Sequence, residues 1–135
     1  MVLIDTNIAV SLWVENDWTV AARQLQQADP DWCTEFYALI EFSNVMATYV
    51  RTGKASADDA RRYLLEAETM LGADTLTVPH AAALNVAIAR RIAVYDARFL
   101  AAAEHLGIPL VTEDQKLRNA APELTRSIAE ALAAV

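Results

Sequence analysis

The order of apolar runs along the chain predicts an α/β fold, an open and mostly parallel sheet of short strands covered by helices on both faces. Three observations predict it. Short apolar runs at 2–4, 32–34, 76–78 and 109–112 alternate with longer amphipathic stretches. The hydrophobic share is 55%, and much of the excess is alanine, which favours closely packed helices. The chain has 135 residues, a common size for one domain that needs neither disulfides nor a structural metal.

In order, Val2, Leu3 and Ile4 form a buried strand that stops abruptly at Asp5, Thr6 and Asn7. Ile8, Val10, Leu12, Trp13 and Val14 then continue with helical spacing. Residues 17–28 read as a second helix, Asp29, Pro30 and Asp31 as a break, and 32–34 as a second strand. A longer helix covers 35–51 and ends at Thr52, Gly53 and Lys54. Ser56, with Asp59 three residues on, starts the next, which runs to Leu71. Residues 76–78 form a third strand, and Pro79 opens a helix through Arg91. Tyr95 and Asp96 precede an alanine-rich helix ending near Gly107, and residues 109–112 form a fourth strand. The tail from Ser127 is a closing helix, while the pattern leaves the route of 124–135 open. No internal repeat or linker divides the chain, so residues 1–135 are expected to be a single domain.

No apolar run approaches the ~20 residues that span a bilayer, and the N-terminus lacks the basic start of a signal peptide. No membrane contact and residence in the cytoplasm are the expectations. The lone Cys33 lies in an apolar neighbourhood and reads as a small buried hydrophobe. With 18 acidic against 11 basic residues, the net charge of −7 excludes a protein that holds nucleic acid by blanket attraction. It does not exclude nucleic acid, because carboxylates that bind divalent cations become a local attractor of phosphate.

Four acids stand in special places. Asp5 ends the first strand, and Asp114 comes two residues after Thr112, which closes the fourth; ligands of open α/β sheets bind outside such strand ends. Glu41 lies in a helix among Leu39, Ile40 and Phe42, and Asp96 begins a helix that is apolar on most sides. Burial is expected at all four. Asp58, Asp59, Glu66, Glu68, Glu123 and Glu130 instead lie on polar stretches, as solvated helix faces do.

Each of the four also has a purely structural use. Asp5 and Asp96 would serve as helix N-caps, Glu41 as a partner of Arg90 or Arg91, and Asp114 as the cap of a short helix starting at Gln115. Convergence of several carboxylates in a poorly solvated cleft changes the balance, because each raises the others' pKa unless cations neutralise them. Oxygen ligands with no supporting His or Cys cluster suit magnesium or manganese. Isolated His80 and His105 receive no catalytic role. Trp13, Trp18 and Trp32 read as core or interface anchors rather than base-stacking platforms, because they cluster near the N-terminal helices and not among basic residues. Arg98, Lys116 and Arg118 flank the third and fourth acids and are candidate phosphate contacts, with solvated surface bases as the alternative reading.

At these residues the chain resembles a PIN-domain ribonuclease, and more narrowly the VapC toxin of toxin–antitoxin pairs. MVLIDTNIAV is similar to that family's first strand and acid, ALIEFSNVM to its helix with the second, and VYDARFLAAAEHLGIPLVTEDQKL to its third and fourth acids. The likeness covers residues 1–120. It implies a three-layer α/β/α sandwich, with Asp5 and Asp96 as metal ligands, Asp114 completing the site and Glu41 binding metal or orienting water. Thr6, Asn7 and Thr112 match polar positions around the family's site. Further implications are Mg2+ or Mn2+ as cofactor, RNA as substrate, a homodimer, and a cognate VapB-type antitoxin. Lys116 and Leu117 stand where some members carry one more acid.

Two other classes share parts of this pattern: a receiver-like phosphoacceptor domain and a catalytically silent PIN-like interaction module. The first lacks its usual adjacent acidic pair, since Leu3, Ile4 and Asp5 offer one carboxylate. Presence of all four acids argues against the second. A haloacid-dehalogenase-like phosphatase would want an acid where Asn7 stands.

Overall fold

The computed structural model describes residues 1–135. Its strands are β1 (Val2–Ile4), β2 (Trp32–Glu35), β3 (Thr75–Leu76), β4 (Leu110–Val111) and β5 (Thr125–Arg126). They form one sheet in the order β3-β2-β1-β4-β5, with every neighbouring pair parallel. The helices are α1 (Thr6–Trp13), α2 (Thr19–Ala28), α3 (Tyr37–Arg51), α4 (Ala57–Leu71), α5 (His80–Arg90), α6 (Val94–Leu106), α7 (Gln115–Ala120) and α8 (Ile128–Ala133).

Because side chains alternate across a strand, each short strand feeds two cores. Leu3, Cys33 and Leu110 point to the face covered by α5, α6 and α7, where they meet Ala83, Val86, Phe99, Leu100 and Leu117. Ile4, Trp32 and Val111 point the other way, to Ile8, Leu25, Phe42, Met46, Leu71 and Ile128. The result is the expected three-layer α/β/α arrangement. Alanines at 97, 101, 102 and 103 are all buried in α6, so that helix approaches its neighbours closely. Gly107 then ends it at φ 67°, a left-handed position without cost to glycine.

Several boundaries differ from the sequence reading. Glu35 belongs to β2 rather than to the following helix, which starts at Tyr37. The third strand is Thr75–Leu76, not 76–78. It leaves the ladder early because Val78 N–H turns to the Glu35 carboxylate (3.4 Å) ahead of Pro79, which has no N–H to give. The fourth strand shrinks to Leu110–Val111, and β5 is an addition, its backbone joined to β4's segment by Leu110 N–H to Leu124 O (2.8 Å) and Thr112 N–H to Arg126 O (2.9 Å). The closing helix α8 starts on a capping box between Ser127 and Glu130.

β1 occupies the centre of the sheet. The chain first builds outward through β2 and β3, then crosses to the far side of β1 to lay down β4 and β5. The gap between β1 and β4 is therefore a topological switch point, where open α/β sheets form a crevice beyond their strand ends. No helix is long and apolar enough to cross a membrane.

Candidate active site

Asp5 and Asp114 leave the sheet on either side of that switch point, and Thr112 ties them together. Asp5 occupies the N-cap position of α1, yet its side chain caps nothing. Its Oδ2 instead accepts the Thr112 hydroxyl at 2.6 Å. The same hydroxyl oxygen accepts the Asp114 N–H at 3.0 Å. Asp114 does cap α7, its Oδ1 taking the Lys116 N–H at 2.9 Å. Glu41 reaches in from α3, where its Oε1 accepts the Thr6 hydroxyl at 2.7 Å. Asp96 sits in the first turn of α6 rather than at its cap, and its Oδ2 is 3.8 Å from Lys116 Nζ.

These acids lie in one another's electric field. Burial pushes the Asp5 carboxyl up from 3.8 to about 6; the Thr112 hydrogen bond opposes this, and the charges of Glu41 and Asp114 add to it. Glu41 is raised first by burial, against the Thr6 hydrogen bond, with Asp96 and Asp114 adding to the rise. Asp96 is raised first by burial and then by Asp114, with Lys116 opposing. Lys116, 78% exposed at its side chain, is the base that faces them, so the cluster carries a surplus of negative charge.

No group of three or more His, Cys, Asp or Glu side chains is gathered closely enough to cage a metal ion by itself. The donor set still fits magnesium or manganese. Such ions take hard oxygen ligands, keep several waters, and bind through one or two carboxylates rather than a complete protein cage. The buried Asp5 carboxylate is held by the Thr112 hydroxyl and by no basic side chain, which leaves its charge open to a cation.

Burial is complete only at Asp5, which is 6% exposed; Glu41, Asp96 and Asp114 are half-buried on the rim. Thr6 and Thr112 are buried and bonded to acids, while Asn7 is exposed. Arg90 donates to Ala120 O and pairs with Glu123, so it is not the partner of Glu41.

Arg98 is not a phosphate contact. It is buried, its Nε lies 3.0 and 3.2 Å from the two oxygens of Glu35, and its Nη2 donates to Val78 O at 3.2 Å. Glu35, fully buried, also accepts the Tyr37 N–H at 2.7 Å. Sequence reasoning missed this pair, which fastens α6 to the end of β2. The Tyr37 ring stacks on Tyr95, next to Asp96, and reinforces the same joint. His80 Nδ1 lies 3.5 Å from Arg98 Nη1. Arg118 is engaged by Glu130 at 2.6 Å. Lys116 alone of the three bases stays at the rim with its ammonium exposed.

Cys33 is buried, which pushes its thiol up to about 11 and leaves it unreactive. Trp32 is a core residue, and Trp13 packs edge-on against Phe42. Trp18, by contrast, is 45% exposed and anchors no core.

The model of the family described as "PIN domain" matches residues 2–122. Among solved structures, the chain is similar to the one described as "Crystal Structure of PAE2754 from Pyrobaculum aerophilum". The TM-score is 0.77 and the identity 21%, over 98% of this chain and 92% of that one, a likeness of fold. No curated protein sequence matches the chain.

Proposed function

Because this chain belongs to the PIN-domain family, whose members are generally nucleases, we propose that it is a metal-dependent endoribonuclease. The observation that carries this reading is the field shared by Asp5, Glu41, Asp96 and Asp114 at the sheet's switch point, with Asp5 buried and unpaired by any base. Asp5 and Asp96 would hold Mg2+ or Mn2+, with Glu41 and Asp114 completing the set. When bound, the ion supplies activation of water and neutralisation of charge on the phosphoryl oxygens.

The chain's own residues supply the rest. Thr112 fixes the Asp5 carboxylate and the start of the Asp114 turn in one arrangement, and Thr6 fixes Glu41. Glu41, held through one oxygen, has the other to orient a water and accept its proton. Lys116 is placed to meet a phosphate that approaches Asp96. Asn7, exposed beside Thr6, offers an amide to the substrate.

By the same resemblance, residues 1–135 form one functional unit, acting in the cytoplasm as the toxin of a VapBC-type pair. It works as a homodimer whose site a VapB-type antitoxin occupies. Incubating purified protein with total RNA, with magnesium or with EDTA, tests the reaction. Discrete cleavage that EDTA abolishes is expected, and intact RNA under magnesium refutes it.

Thr112→Val keeps the side chain's shape and removes the hydroxyl shared by Asp5 and Asp114. Loss of such an outer support is expected to weaken magnesium affinity or activity by about 10–100-fold while the fold persists. The magnesium dependence of the rate, read beside circular dichroism, checks it; an unchanged dependence contradicts the role given to Thr112.

A further inference from the structure

A cavity of about 310 Å³ opens beside the acid cluster and shares Asn7 and Asp114 with it. Its other chemistry-bearing walls are Asn16, Asp17, Trp18, Tyr49 and Glu113. The volume falls at the lower end of small-ligand pockets, about 300–1,000 Å³. From this we infer that the cavity is the seat of an unpaired nucleobase next to the bond that is cut, with guanine preferred; the inference rests on the ribonuclease reading.

Trp18 carries the first part of the argument. A large indole left 45% exposed forgoes burial, and it stands at a cavity rather than on a featureless surface. The backbone that carries it is fixed in advance. The Trp18 backbone N–H donates to Asn16 Oδ1 at 2.8 Å, Asn16 Nδ2 donates to Ser11 Oγ at 3.2 Å, and the Asn16 backbone N–H donates to Thr19 Oγ1 at 2.9 Å. An aromatic plane with an open face is what base stacking uses, and every base has a face to offer.

Charge decides which part of RNA enters. Asp17 and Glu113 line the cavity outside the set proposed to hold the ion, so a phosphate is repelled from it and an uncharged base is admitted. Ionised carboxylates are acceptors only. Glu113 spends Oε1 on the Ile128 N–H at 2.8 Å, which orients the group and leaves Oε2 for a ligand. Guanine presents two adjacent donors, N1–H and the N2 amino group, that match such a wall. Uracil presents one N–H between two carbonyl oxygens, which would face the carboxylates. Cytosine and adenine, with one amino group each, fall between.

Uncharged nucleosides test this without RNA cleavage and in the presence of EDTA. The indole N–H signals of the three tryptophans, assigned by single substitutions, are followed by NMR as guanosine, inosine, cytidine or uridine is added. Guanosine is expected to shift the Trp18 signal saturably. Inosine, lacking the N2 amino group, and uridine are expected to bind about tenfold more weakly or less. With binding read instead from saturation transfer to the guanosine protons, Trp18→Phe retains the site and Trp18→Ala, a surface change that leaves the core untouched, removes it; Glu113→Gln, read at the Trp18 signal, narrows the gap between guanosine and uridine. Absence of a saturable shift at Trp18, or equal shifts from all four nucleosides, overturns the proposal. RNA cut under magnesium by a protein that shows no such shift refutes the base pocket alone. A guanosine site on a protein that cuts no RNA refutes the nuclease reading instead.

Discussion

Asp5→Asn is expected to end magnesium-dependent cleavage and, at the same time, to make the metal-free protein more stable at pH 7.5. The second effect follows from the buried carboxyl. Its pKa is raised from 3.8 to about 6 in the folded chain, so the folded state binds more protons than the unfolded state between those values. Stability from this group is therefore fully present below the unfolded value and lost as pH rises through about 6. At neutral pH the ionised Asp5 costs roughly 3 kcal/mol, at 1.36 kcal/mol per pKa unit. Asparagine keeps an acceptor for the Thr112 hydroxyl and carries no charge.

Urea denaturation across pH reads this directly. The advantage of Asp5→Asn is expected to be absent below pH 4, to grow through pH 6 and then to level off. Magnesium closes the gap from the other side, because an ion at 100 times its Kd adds about 2.7 kcal/mol to the wild-type protein. The variant is expected to gain nothing from magnesium. A variant that cuts RNA at the wild-type rate, or that is less stable than wild type at pH 7.5 without metal, contradicts this assignment of Asp5.

Arg98→Met is expected to cost about 3–5 kcal/mol, because it strands the Glu35 carboxylate inside the protein without its cation. That is a large share of the total stability of a domain this size, about 5–15 kcal/mol. Glu35 is fully buried, and the Arg98 guanidinium touches both of its oxygens as well as Val78 O. Adding Glu35→Gln to Arg98→Met removes the stranded charge while an amide oxygen still accepts the Tyr37 N–H. The double variant is therefore expected to recover much of the loss, a departure from additivity that only coupled residues show. Denaturant midpoints of the two single variants and the double variant measure it. A loss under about 1 kcal/mol for Arg98→Met would mean the pair is not the fastener described.

The parts of this fold that the sequence announces are those where local chemistry changes abruptly. Val2, Leu3 and Ile4 give way at once to Asp5, and Leu110 and Val111 to Thr112 and Asp114, so two strand ends and their acids could be read directly. Ser56 and Gly107 mark a helix start and a helix stop by conformational preference alone. Long-range pairing is a different matter. Glu35 stands where a helix start is plausible, and the residue that justifies its burial lies 63 positions away. Arg98 looks like a solvated base until that partner is known.

β5 consists of two residues, too few to give any periodicity, and forms because β4 offers it a parallel edge. The degree of burial of Glu41, Asp96 and Asp114 was equally hidden, since all three stand on a rim whose shape depends on how α3, α6 and α7 pack. The exposure of Trp18 was hidden for the same reason. A tryptophan near two helix ends suggests a core, whereas the loop from Asn16 turns it outward.

Binding of Mn2+, followed by its electron paramagnetic resonance signal in wild type and in Asp96→Asn, tests most directly whether acids from opposite parts of the chain act on one cation. Saturable binding by wild type that is lost or weakened at least tenfold in Asp96→Asn is the predicted result. Wild type that binds no Mn2+ saturably, or Asp96→Asn that binds it equally well, would show that these carboxylates do not share an ion.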